Sequence, residues 1–67
     1  MNLTVNGSPR ACADAATVAS LVADVLGGPV QGSAVAVNGE VVPRAAHTAT
    51  RLNDGDVVEI VTAVQGG

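Results

Sequence analysis

The stretch VVEIVTAVQGG, from Val57 to Gly67, decides how this chain is read. Val57 to Val64 is rich in large aliphatics and reads as one long strand. Only Gln65, Gly66 and Gly67 are left to project from it as a flexible tail. A glycine pair lacks Cβ atoms, so it threads a narrow active-site channel where branched residues would jam. No side chain shields the final carbonyl, which makes the Gly67 carboxylate the candidate reactive group. Side chains alternate along a strand. With Val58, Ile60 and Val64 turned toward a core, Val57, Glu59, Val61 and Ala63 face outward, three apolar groups around a single charge. Such a patch beside the tail is a candidate partner surface, with Arg44 and Glu59 setting the orientation of docking.

Working back from this strand, Asn53-Asp54-Gly55-Asp56 is a turn whose aspartates bond the local backbone, a stronger explanation than a metal pair. Ala34 to Val37, Asn38-Gly39 and Glu40 to Val42 form a hairpin signal, followed by Pro43-Arg44 and a loop through His47. With no Cys or carboxylate cluster near it at ligand spacing, His47 reads as a solvated loop histidine. Val18, Leu21, Val22, Val25 and Leu26 recur at i, i+3, i+4, i+7 and i+8, one face of a helix. Thr17 is its N-cap, and Gly27-Gly28-Pro29 ends it. At the start, Leu3 and Val5 alternate with Asn2 and Thr4, Asn6-Gly7 turns the chain, and Arg10 to Ala13 returns. Cys12, in that returning strand, reads as a small buried hydrophobe.

Composition narrows the function. The chain has 67 residues, no aromatic side chain and a net charge of −3. One domain of this size buries only about 60% of its unfolded surface, with a core of Val, Leu, Ile and Ala. Three arginines, Arg10, Arg44 and Arg51, and no stacking platform argue against nucleic acid as a partner. No apolar run approaches the ~20 residues of a bilayer span, and the start lacks the features of a leader, so a cytoplasmic location without membrane contact is expected. A lone cysteine fits a reducing compartment. No metal site and no bound cofactor are expected. The chain also contains no lysine, which removes the commonest acceptor for self-conjugation by an activated carboxylate.

The element order is strand, strand, helix, strand, short strand, long strand. Its compact solution is an α+β fold with one helix on one face of a mixed sheet of four to five strands. With the last strand beside the first in the middle of the sheet, this is the β-grasp, or ubiquitin-like, arrangement. Residues 1–64 form its single domain and 65–67 the tail. Along nearly its whole length the chain resembles the ThiS family, the sulfur carrier proteins of thiamine biosynthesis. The matching pieces are Leu3-Thr4-Val5-Asn6-Gly7, Thr17-Val18 with Leu21, VNGEVVPR from Val37 to Arg44, Leu52-Asn53-Asp54-Gly55-Asp56, and Glu59-Ile60-Val61 through Gly66-Gly67. The small subunit of molybdopterin synthase shares the fold and tail, but is usually longer and typically has prolines where this chain has Thr62-Ala63. His47 departs from the pattern, standing where the family more often has an aromatic residue.

The resemblance implies a protein co-substrate and not an enzyme. A ubiquitin-activating-like adenylyltransferase would use ATP and Mg²⁺ to convert the Gly67 carboxylate to an acyl-adenylate. Sulfur from a persulfide, made by a cysteine desulfurase, would then leave a Gly67 thiocarboxylate, which gives up its sulfur to thiazole synthase. Gln65, Gly66 and Gly67 would enter both partners' active sites. The alternatives are a sulfur carrier for molybdopterin or cysteine biosynthesis, or a ubiquitin-like protein modifier.

Overall fold

Two asparagine-glycine pairs turn the chain at the expected places. Asn6 and Gly7 have φ of 49° and 81°, and Asn38 and Gly39 have 51° and 84°. Positive φ at both central residues marks the turn whose twist matches the strands it joins. In the computed structural model, which describes residues 1–27 and 33–62, the first pair joins β1 (Asn2–Val5) to β2 (Ser8–Ala11). The second joins β3 (Ser33–Val37) to β4 (Glu40–Val42). Both hairpins are antiparallel, with Val5 opposite Ser8 and Val37 opposite Glu40. The first return strand therefore begins at Ser8, earlier than Arg10, and ends at Ala11. It includes Pro9, which is tolerated because β2 lies at the edge of the sheet.

The last described strand, β5 (Val57–Thr62), occupies the centre of the order β2-β1-β5-β3-β4. It runs parallel to β1, with Thr4 opposite Val57 and Val5 opposite Val58. On its other side it runs antiparallel to β3, from Val37 opposite Val58 to Ser33 opposite Thr62. This is the mixed sheet expected, with five strands. Ala63 and Val64, expected to extend β5, lie outside the described residues, as do the tail and the Gly28-Pro29 helix stop.

Among the described residues one α-helix, α1 (Val18–Leu26), supplies the other half of the core. Thr17 Oγ1 accepts from the Ser20 amide at 3.2 Å, and Ser20 Oγ accepts from the Thr17 amide at 2.9 Å, a reciprocal cap. The other two orphan amides of the first turn donate to the loop after β4, Val18 to Thr50 O and Ala19 to His47 O. Gly27, with φ of 69°, closes the far end through a bond from its amide to Ala23 O. Val18, Leu21 and Val22 pack against Leu3, Val5, Val35, Leu52, Val58 and Ile60, with Val25 and Leu26 half-buried beside them.

Two loop residues differ from their reading in the sequence. His47 is not solvated: it is 6% exposed, and its Nε2 lies 3.1 Å from Val42 O. Because a carbonyl only accepts, that nitrogen carries the proton. The imidazole follows a one-turn 3-10 helix (Arg44–Ala46) and pins the end of β4 while its carbonyl caps α1. Cys12 lies one residue past β2 and is half-buried against the core. Of the two aspartates expected to bond the local turn backbone, Asp56 does so and Asp54 does not. Asp56 Oδ2 accepts from the Asn53 amide at 2.8 Å, whereas Asp54 Oδ1 reaches across to the Asn2 amide at 2.7 Å.

Candidate functional site

The alternation along β5 divides it as expected. Val58 and Ile60 are buried under α1, while Val57, Glu59 and Val61 face the opposite side of the sheet. Val57 is 46% and Val61 63% exposed, high values for valines on a central strand. No second layer covers this face among the described residues. The cross-strand register continues the patch toward the edge, because Ala36 sits opposite both Glu59 on β5 and Val41 on β4. Val41 is 75% exposed and belongs to the surface, although reading β5 alone did not include it. The alternation within Glu40-Val41-Val42 was the available signal. With Ala34 and Ala36 beside them, Val41, Glu59 and Val61 line a shallow depression of about 300 Å³. Among the described residues, Glu59 is the one charged group that lines it.

Arg44 is exposed in the 3-10 turn beyond the edge strand β4, two strands from β5, and does not line this depression. The two charges expected to orient docking thus stand apart, Glu59 within the depression and Arg44 beyond the sheet edge. Ala63, Gln65, Gly66 and Gly67 lie outside the described residues. The described chain reaches Thr62, opposite Ser33.

Both turn asparagines hold β5 in addition to turning the chain. Asn38 Oδ1 accepts from the Val57 amide at 3.0 Å, and Asn38 Nδ2 donates to Asp56 Oδ1 at 2.9 Å. Asn6 Oδ1 accepts from the Ile60 amide at 2.8 Å, and Asn6 Nδ2 donates to Ile60 O at 3.1 Å. The strand is thus gripped from the β3 side at its start and from the β1 side farther along. Among the described residues no group of three His, Cys, Asp or Glu side chains converges, and no helix is long and apolar enough to cross a membrane. What the arrangement offers is an apolar face continuous with the strand that leads toward the diglycine.

The sequence model of the ThiS family matches residues 3–67. The chain belongs to the ThiS family. The crystal structure of the thiamine biosynthesis protein ThiS from Geobacter metallireducens superimposes with a TM-score of 0.83 at 39% identity, covering all of both chains. A solution structure of a thiamine biosynthesis protein from the same organism gives 0.81 at 39% identity, covering all of this chain and 88% of the other. At these identities the likeness supports family as well as fold, and the five-stranded sheet with one helix is the family's β-grasp. A thiazole synthase from Paramagnetospirillum magneticum is 37% identical over 67 residues, all of this chain and 20% of that protein. The chain thus spans a fifth of the length of this curated relative.

Proposed function

We propose that the chain is a sulfur carrier of thiamine biosynthesis and holds its sulfur as a thiocarboxylate on Gly67. The observation that carries this reading is the family match itself, which runs through the diglycine to residue 67. A carboxylate is a poor acyl donor because its leaving group would be oxide. An adenylyltransferase using ATP and Mg²⁺ converts the Gly67 carboxylate to an acyl-adenylate and releases pyrophosphate. The terminal sulfur of a persulfide attacks the carbonyl and AMP leaves. A second thiol then cleaves the acyl disulfide and frees the thiocarboxylate. The chain is acted on throughout and supplies no catalytic group; Mg²⁺ and ATP belong to the activating enzyme.

Thiazole synthase is the proposed acceptor. The P. magneticum relative supports this pairing, because a protein named thiazole synthase includes a stretch like this chain within one polypeptide. On the carrier, Val41, Val57 and Val61 around Glu59 are the proposed docking surface. The activating enzyme and the synthase each use it to aim residues 65–67 into their own sites. Mass spectrometry of the protein from its own host tests the reading. Replacement of one oxygen by sulfur at Gly67 is expected. An isopeptide link to a lysine of another protein would instead establish a modifier, and an unaltered carboxylate under sulfur-replete conditions would remove the carrier reading.

A further inference from the structure

The parallel pairing of β5 with β1 is short. It runs from Thr4 opposite Val57 to Val5 opposite Val58. Its backbone rungs include Thr4 N–H to Asp56 O at 3.0 Å and Asn6 N–H to Val58 O at 2.9 Å. Continuing that register would put residue 7 opposite Ile60, but Gly7 is already in the turn with φ of 81°. The next rung is made by a side chain. The Asn6 carboxamide offers one acceptor and one donor, as a strand residue would, and meets both the amide and the carbonyl of Ile60. From Glu59 to Thr62 the other support of β5 is its pairing with β3.

We propose that Asn6 is a positioning residue for the C-terminal tail: its carboxamide replaces the missing β1 rung, fixes Ile60, and so sets the direction in which the chain leaves Thr62. The role rests on the reading of Gly67 as the acyl group that is activated. A β1–β5 ladder that stopped at Val58 would leave the end of a central strand held from one side, and every error in its direction would grow over the residues to Gly67. Activation requires the carboxylate to meet the α-phosphate of ATP in a narrow geometry, where a displacement of about 1 Å can cost on the order of a hundredfold in rate. The turn alone does not demand asparagine. Asp-Gly and Gly-Gly serve the same turn type, so a role confined to turning would be satisfied by all three residues at position 6. Only asparagine both accepts from Ile60 N–H and donates to Ile60 O.

The experiment compares Asn6→Gly and Asn6→Asp with the wild type. Both keep the turn; glycine removes both bonds, and aspartate keeps the acceptor but sets a carboxylate oxygen against Ile60 O. Native-state hydrogen exchange at the Ile60 amide is expected to quicken about tenfold or more in Asn6→Gly, the scale of one lost net hydrogen bond. Exchange at Leu21, inside α1, should quicken by no more than the loss of global stability measured in urea. With the activating enzyme and ATP, kcat for pyrophosphate release is expected to fall about tenfold or more in both variants while KM for the carrier holds. Mere loss of folded protein would raise apparent KM and spare kcat. Unchanged Ile60 exchange, or a wild-type kcat in Asn6→Gly, would overturn the proposal. A wild-type chain that the activating enzyme never adenylates would overturn the reading beneath it, leaving the exchange result to show separately whether Asn6 holds β5.

Discussion

Val58 and Val61 stand on the same strand with opposite fates, and exchanging their side chains tests fold and surface in one experiment. Val58 is 0% exposed beneath α1, and Val61 is 63% exposed on the open face. Val58→Ala removes two methyl-sized groups, about 1.6 kcal/mol by transfer at ~0.8 per group, and leaves a cavity in a core with no aromatic residue to shift into it. The expected total is about 2–3 kcal/mol, against a stability of about 3–10 kcal/mol for a chain this short. The melting temperature should fall by about 10–20 °C, at ~4–8 °C per kcal/mol for a small domain. Val61→Glu changes an exposed site and should stay within about 0.5 kcal/mol of the wild type. Because the chain lacks Trp, Tyr and Phe, unfolding is followed by far-ultraviolet circular dichroism. Binding should reverse the order. Val61→Glu adds a carboxylate beside Glu59 on the proposed docking face and should weaken capture by thiazole synthase about tenfold or more, the cost of desolvating an unpaired charge. If Val61→Glu unfolds the chain, or binds the synthase as the wild type does, the proposed surface is wrong.

The remaining expectations concern the tail, the buried histidine and the pathway. Deleting Gly67, or replacing Gly66 with Val, should abolish adenylation as followed by ATP–pyrophosphate exchange while leaving the melting curve nearly unchanged; a truncated chain that still exchanges pyrophosphate would refute the role of the tail. His47→Ala should cost about 2–4 kcal/mol in urea unfolding, because it empties a packed site and removes the imidazole bond to Val42 O. His47→Phe should lose less, since it keeps the ring, and an equal loss would show that the hydrogen bond outweighs the packing. Offered as the thiocarboxylate, the chain should support thiazole phosphate formation by thiazole synthase and give little or no dithiolene with the large subunit of molybdopterin synthase. The reverse result would keep the sulfur-carrier mechanism and change the pathway.

What could be read from the sequence was what local chemistry decides. Asn6-Gly7 and Asn38-Gly39 specify hairpins because their positive φ is costly for most other residues. Thr17 announces a cap because its hydroxyl reaches an amide three residues on. Val57, Glu59 and Val61 emerge on one face because the side-chain period of a strand is fixed. Contacts between elements distant in sequence were not readable in the same way. Nothing beside His47 marks it as buried; its burial comes from α1 and the end of β4 closing around it. Val41 joins the exposed apolar face only through the register that sets Ala36 opposite both Val41 and Glu59.

The two turn asparagines show why such contacts matter for function. Each is legible in the sequence as a turn residue, and the turn alone accounts for its presence there. Yet Asn38 takes the Val57 amide and Asn6 takes Ile60, residues 19 and 54 positions away in sequence. Both grips fall on the strand that leads to the diglycine. A carrier whose proposed reactive group is a terminal carboxylate has no side chain with which to aim that group. Aim must come from the rigidity of the strand behind it and from the face that docks. β5 supplies both at once, with Val58 and Ile60 anchored in the core, the asparagines holding its two edges, and Val57, Glu59 and Val61 facing outward. Loosening the grips and altering the face should therefore fail differently: the first should lower the rate of activation at constant affinity, and the second should lower affinity while the strand stays in place.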